Sequence, residues 1–232
     1  MNNSDEGFVI STTPYREHDC MVHFLGKEYG LIRFVLPGYY KPKSKQGSLG
    51  LEFSQVRYRF NFQENRLNRI LNGELIEGYL HQRTDLEWLM MMSLASEITV
   101  RTYDPSAHFY FYDHIALLFS SNNLMKAMIE FIVGIIKHQG FTPDISGCVV
   151  CGSQHINTFS IERGGYLCTM HSPAYVKDSK ELLLAMKGLF IGAEIDAFLE
   201  TIELTPVLER LVKYLEYHGD YRFNSWKLIS GM

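Results

Sequence analysis

Four residues have the types and the spacing of a metal-ligand set. Cys148, Cys151, Cys168 and His171 read C-x2-C-x16-C-x2-H. Two short knuckles each offer two ligands, and the insert between them is long enough to fold one onto the other. Thiolates and an imidazole at this spacing form the donor set of a four-coordinate zinc site. With every position filled by protein there is no room for water or substrate, so the metal is expected to hold structure and do no chemistry. A redox C-x-x-C would sit at a strand–helix junction of a βαβ unit. Here the pair follows a helical stretch and a Gly-containing turn, and a matching C-x2-H lies downstream. Gly152, Gly164 and Gly165 supply the conformational freedom of tight knuckle turns. On this reading, loss of zinc leaves little else to join the two ends of the 147–172 module.

The patterns of common enzyme chemistries are missing. The chain has no G-x4-G-K-[ST], G-x-G-x-x-G, G-x-S-x-G or H-E-x-x-H, which removes the usual phosphate cradles, nucleophile elbow and zincin motif. A zinc deaminase needs H-x-E and P-C-x-x-C; Gly147 precedes Cys148 and no H-x-E occurs. His18–Asp19 and Asp113–His114 are adjacent in sequence with no nucleophile beside them. The expectation is a protein that is not an enzyme.

The second constellation is one of charge. The chain carries a net charge of −4, but the segment from Arg33 to Arg69 holds eight Lys and Arg against Glu52 and Glu64 alone. A local basic patch on an acidic protein is a candidate polyanion site. Within it, Pro37–Gly50 (PGYYKPKSKQGSLG) interleaves Lys41, Lys43 and Lys45 with Tyr39 and Tyr40. Cations that track phosphates beside rings that stack on bases are the ingredients of a single-strand nucleic-acid surface. The plainer alternative is a solvated loop, and its Gly, Pro and Ser content predicts a mobile one.

The elements that must position these groups change character near residue 80. Gly7–Thr13, Cys20–Leu25, Leu31–Leu36, Val56–Phe62 and Leu67–Ile76 read as strands. In Val56–Phe62 the alternation places Val56, Tyr58, Phe60 and Phe62 on the core face, and Arg57 and Arg59 on the other. Five short strands in a small domain suggest an OB-fold barrel over residues 1–80. From Thr84 the period is helical. Thr84–Glu87 reads as a capping box, and helices are predicted from there to about Val100, over Ala107–Ser120, and from Asn122 or Asn123 to His138. Others start at Asp178–Glu181 and at Thr205–Pro206, with a short last one in Arg222–Ile229. The fold class is therefore α+β: an OB-fold barrel, then a helical domain over 81–232 with an embedded zinc module. The methionines at 90, 91, 92, 125 and 128 read as core filler.

At 232 residues and 46% hydrophobic, the chain can bury one large core or two small ones. No apolar run reaches the ~18 residues of a membrane span, and the opening MNNSDEG is unlike a signal or transit peptide. Cys20 is the only cysteine outside the metal pattern, so there is no disulfide framework, and a reducing cytoplasm is the expected setting.

Laid end to end, these blocks resemble one family. Gly7–Glu17 (GFVISTTPYRE) with Asp19, Gly30–Phe34 (GLIRF), Gly38 and Lys41–Lys45 (KPKSK) resemble the opening of RecO, the bacterial recombination mediator family. Lys137–Ile145 (KHQGFTPDI) leading into Cys148-x-x-Cys-Gly152, then Phe159–Ser160, Gly164–Gly165, Cys168 and His171, resemble its metal module, and Tyr214–Leu228 its last helices. The chain departs from the pattern at Pro37, where Lys is frequent. The resemblance implies binding of single- and double-stranded DNA, annealing of complementary strands, and help in loading RecA onto strands coated by SSB. It also implies RecR and the SSB C-terminal tail as partners, with no membrane role and a cytoplasmic, nucleoid-associated location. The expected phosphate contacts are Arg33, Lys41, Lys43, Lys45, Arg57 and Arg59, with Arg16 from the family motif and Tyr39 and Tyr40 for stacking. An apolar pocket ringed by Lys or Arg on the helices is the expected place for the SSB tail. A different class, a zinc-stabilised protein-interaction adaptor that binds no DNA, fits the same residues.

Overall fold

The computed structural model describes residues 3–63, 66–173, 176–192 and 202–231. The chain forms two compact units, Met1–Asn122 and Asn123–Met232. The barrel's last strand ends at Glu77, and the first two helices belong with the barrel in the first unit.

Five strands close the barrel: β1 (Asn3–Tyr15), β2 (Asp19–Gly26), β3 (Gly30–Leu36), β4 (Gln55–Phe60) and β5 (Asn68–Glu77). Their order is β1-β2-β3-β5-β4 with β4 returning to β1, an OB-like arrangement. All pairings are antiparallel except β3 with β5, which meet in parallel at Phe34↔Asn68 and Val35↔Arg69. The interior is filled by alternate residues of every strand, among them Val22, Phe24, Phe34, Val56, Tyr58 and Phe60. Alternation is kept because each strand has one face in this core and one in water. Phe62 breaks the expected pattern. It lies past the end of β4, is exposed, and packs on the Tyr29 ring at 5.1 Å.

A buried acid fixes one end of the barrel. Asp5 accepts hydrogen bonds from the backbone N–H groups of Glu6, Glu28 and Tyr29, holding the β2–β3 turn against β1. Burial, set against these amides, pushes its carboxyl above the usual range.

Pro37–Gly50 is a run of successive turns and is not loose. Gly38 N–H donates to Asp19 Oδ1 at 2.7 Å, and Tyr40 N–H to the His18 carbonyl at 2.9 Å. Further turns close from Lys41 to Gly38, Ser44 to Lys41 and Leu49 to Gln46. At the far end Leu49 enters the barrel core and its carbonyl accepts from the buried Tyr58 hydroxyl. Composition predicts mobility; these anchors, made to residues distant in sequence, override it.

The first unit is completed by α1 (Leu86–Thr102) and α2 (His108–Ser120). Asp85 caps α1, accepting from Glu87 N–H and Trp88 N–H. Thr84 does not cap it, because it closes a preceding 3-10 turn and donates to the His81 carbonyl. An aromatic cluster joins barrel to helices: Phe8 meets Tyr112 and Phe119, and Trp88 meets Phe53, Tyr79 and Phe119.

The second unit contains α3 (Leu124–His138), the hairpin β6 (Ile156–Ser160) and β7 (Gly165–Cys168), α4 (Lys180–Ile191), α5 (Thr205–Gly219) and α6 (Asn224–Ser230). Asn123 caps α3 and Ser179 caps α4, each through its side chain. At α5 the cap position is Leu204, so Thr205 is already helical and Pro206 sits in the first turn. The apolar face of α3, including Met128, Phe131, Ile132 and Ile136, packs with α5. No helix among the described residues is long and apolar enough to cross a membrane.

Candidate metal centre and nucleic-acid interface

The metal ligands come from two knuckles on one scaffold. Residues 144–149 run beside the β6–β7 hairpin: Asp144 bridges Gly165, and Val149 N–H donates to the Tyr166 carbonyl. This approach requires glycine at 165, since a Cβ there would lie 2.2 Å from the Asp144 carbonyl oxygen. The first knuckle closes with Gly152 N–H donating to the Cys148 carbonyl at 2.7 Å, and Gly152 takes φ +73°. The second begins at Cys168, the last residue of β7, whose carbonyl accepts from His171 N–H and Ser172 N–H.

The four ligand atoms come within 4.8 Å of one another. Cys148 Sγ lies 3.6 Å and Cys168 Sγ 3.2 Å from His171 Nδ1, and Cys151 Sγ lies 3.8 Å from Cys168 Sγ. A tetrahedron with Zn–S near 2.3 Å and Zn–N near 2.0 Å has edges of roughly 3.5–3.8 Å. Donor types and spacing thus fit a metal ion of this kind, with His171 presenting Nδ1. The Cys148 thiol is held low, at about 6: burial pushes it up, and hydrogen bonds from the backbone at Cys168, Val150 and Cys151 together pull it further down.

The hairpin also has anchors of its own, contrary to the expectation that metal alone joins the ends of this module. Arg210 on α5 donates to the Phe159 carbonyl at 2.6 Å and to Asp178 Oδ1 at 2.6 Å. Asp178 Oδ2 accepts from the Thr158 hydroxyl and from Phe159 N–H. The Tyr166 hydroxyl donates to the Leu183 carbonyl on α4, and the Phe159 ring meets Tyr214 at 5.6 Å. Sequence reading assigned Asp178 only to the helix start; its partners lie 19 to 32 residues away.

The basic residues predicted for nucleic acid do not form one uniform patch. Lys41, Lys43 and Lys45 are all exposed on the turns of 37–50 and have no acidic partner among the described residues. The loop is pinned to the β1–β2 turn, which carries Arg16 at φ +57°, its guanidinium 5.1 Å from the Tyr15 ring centre. Arg33 is exposed on β3, opposite His23. Arg69, left out of the predicted contacts, is exposed on β5 opposite Val35, two residues along from Arg33. The parallel β3–β5 pairing puts the two arginines on neighbouring strands, offset by two residues.

Arg57 and Arg59 stand on β4, which pairs with β1 and β5 and not with β3. Arg57 is bridged on both sides, by Glu6 at 2.9 Å and by Glu74. Its charge is locally offset. Arg59 faces Ser4 and Asn72 across the strands and has no acidic partner among the described residues. Tyr40 is 45% exposed, while Tyr39 packs against the barrel core and on Gly50, where a Cβ would lie 2.5 Å from the ring. Of the two rings, Tyr40 is the accessible one.

Residues 1–79 match the family described as Recombination protein O N terminal, and residues 83–227 match Recombination protein O C terminal. The chain is 25% identical to a protein named DNA repair protein RecO from Exiguobacterium sibiricum, over 99% of this chain and 96% of that one. It is 24% identical to one of the same name from Oceanobacillus iheyensis, covering 97% and 91%. A third, from Bifidobacterium animalis subsp. lactis, is 26% identical and covers 97% and 98%.

Proposed function

The chain belongs to the Recombination protein O family, whose role is DNA repair and recombination, and from that premise we propose that it is a mediator that binds single- and double-stranded DNA and anneals complementary strands. The observation that carries this reading is the exposed triad Lys41, Lys43 and Lys45, fixed by successive turns to an OB-like barrel. Annealing requires no bond chemistry, and the protein is no enzyme in this account. Cations lower the repulsion between two phosphate backbones, and base pairing supplies the driving force. Arg33 and Arg59 extend the phosphate contacts, with Arg69 beside Arg33. Arg16, held over the Tyr15 ring next to Glu17, and Arg57, between two carboxylates, are left out of these contacts. Cys148, Cys151, Cys168 and His171 hold a structural Zn2+, which keeps the knuckle tips together.

RecR and the SSB tail are the protein partners, and through them the protein promotes RecA loading in the cytoplasm at the nucleoid. A groove in the second unit supports a place for the tail. Ile145, Ile156, Tyr166 and Leu183 line it, and Lys180 and Lys187 stand on its rim. Apolar walls with flanking cations suit a peptide with hydrophobic and acidic residues. The test is annealing of two complementary oligonucleotides, with and without SSB. Acceleration that is lost when Lys41, Lys43 and Lys45 are replaced by Gln supports the reading; equal rates with and without protein would refute it in favour of the adaptor.

A further inference from the structure

One groove of the first unit has features that phosphate binding does not use. It has a volume of about 410 Å³ and lies between the 37–50 turns and the start of the helices, with Thr12, Tyr39, Tyr40, Glu52 and Arg83 in its lining. That is within the range of ~300–1,000 Å³ typical of small-ligand pockets. Its walls are set before any ligand arrives. Tyr39 is held by Gly50, and Tyr40 stands nearly perpendicular to it, 4.8 Å away with its backbone tied to His18. Glu52 is held as well: its Oε1 accepts from Thr12 N–H at 2.6 Å. The Arg83 guanidinium donates to the carbonyls of Gly78, Glu52 and Phe53. Its charge stands close enough to the Glu52 carboxylate for the two to act on one another.

We propose that this groove seats one unpaired base of a bound single strand, stacked on Tyr40 and donating an exocyclic amino hydrogen to Glu52. The proposal rests on the DNA-binding reading and adds base discrimination to it. A carboxylate in a DNA-binding surface would ordinarily repel phosphate. The nearby Arg83 guanidinium lessens that repulsion, and the Glu52 lone pairs not used by Thr12 N–H can accept from an amino group. Cytosine, adenine and guanine carry such a group; thymine has none, and its single donor, N3–H, lies between two carbonyl oxygens that a carboxylate repels. The rigid walls reduce the ordering cost of binding. The groove would therefore hold amino-bearing bases in preference to thymine.

The experiment is fluorescence anisotropy of labelled dC20 and dT20 with the full chain, for the wild type, Glu52→Gln and Tyr40→Leu. Glu52→Gln keeps an oxygen for Thr12 N–H but replaces the other acceptor with a donor. Circular dichroism confirms that each variant is folded. One hydrogen bond of about 1 kcal/mol corresponds to a roughly fivefold preference for dC20 in the wild type. That preference should vanish or invert in Glu52→Gln. Tyr40→Leu should weaken both oligonucleotides by about 5- to 150-fold, the range for one stacked base, without altering the salt slope. A dC20/dT20 ratio unchanged by Glu52→Gln, with salt-dependent binding intact, would overturn the base groove and leave the DNA-binding reading standing. No binding of either oligonucleotide at low salt would overturn both.

Discussion

Replacing single basic residues and measuring the salt dependence of single-strand binding separates free cations from neutralised ones. Seven residues were predicted to contact phosphate. In the structure Arg57 is bridged by Glu6 and Glu74, and Arg16 lies over Tyr15 beside Glu17. That leaves five cations with no acidic partner among the described residues: Arg33, Lys41, Lys43, Lys45 and Arg59. Each phosphate neutralised on a single strand contributes roughly −0.7 to the slope of log affinity against log salt. Five contacts give about −3.5, and Arg69 would take it to about −4.2. Between 50 and 200 mM salt, a slope of −3.5 corresponds to a loss of roughly 100-fold in affinity. Replacing Lys41, Lys43 and Lys45 together by Gln should flatten it to about −1.4, a loss of only about sevenfold over the same range. Arg57→Gln should leave the slope nearly unchanged, because the charge removed was already offset by two carboxylates. The assay is anisotropy of a labelled oligonucleotide titrated at four or more salt concentrations. If Arg57→Gln flattened the slope as much as Lys43→Gln does, the argument from ion pairing would be refuted. A wild-type slope near zero would remove the basic surface altogether.

Two further outcomes follow from the metal centre and from the barrel wall. Cys148→Ser should lower bound zinc, read by a chelator-release assay, and reduce thermal stability. The salt slope should stay as it was, because the ligands belong to the other compact unit; a folded variant with no DNA binding would instead make the knuckles the DNA site. His23 is half-buried, its Nδ1 2.9 Å from Ser11 Oγ, and burial and then Arg33 lower its pKa from 6.5. Well above pH 6.5 it is neutral folded or unfolded and contributes nothing to pH dependence. Below that, the unfolded chain takes up the proton first, so stability falls until the folded-state value is passed. The stability difference between wild type and His23→Gln should thus be flat well above pH 6.5 and decline as pH falls through it; denaturant melts from pH 5 to 8 giving a constant difference would contradict this.

The features legible in the sequence were those fixed by neighbours within a few residues. The C-x2-C and C-x2-H knuckles bring ligand pairs together through single turns, so their spacing alone announced the donor set. The alternation in β4 showed Arg57 and Arg59 facing outward, because the period of a strand is local geometry. A cap at Asn122 or Asn123 was readable for the same reason, and Asn123 takes it, whereas α4 is capped by Ser179, one residue past the start of the Asp178–Glu181 box. Tertiary structure decided what each charge and anchor meets. Arg57 finds Glu6 and Glu74, 51 and 17 residues away, only through the registers of β4 with β1 and β5. Arg69 joins Arg33 only through a parallel pairing of two strands. The Pro37–Gly50 turns are held because Asp19, His18 and Tyr58 reach them from elsewhere in the barrel, and Asp178 left its local role for Arg210. Hydrogen bonds and ion pairs depend on ångström distances between segments, and those distances exist only after the barrel has closed and the helices have packed.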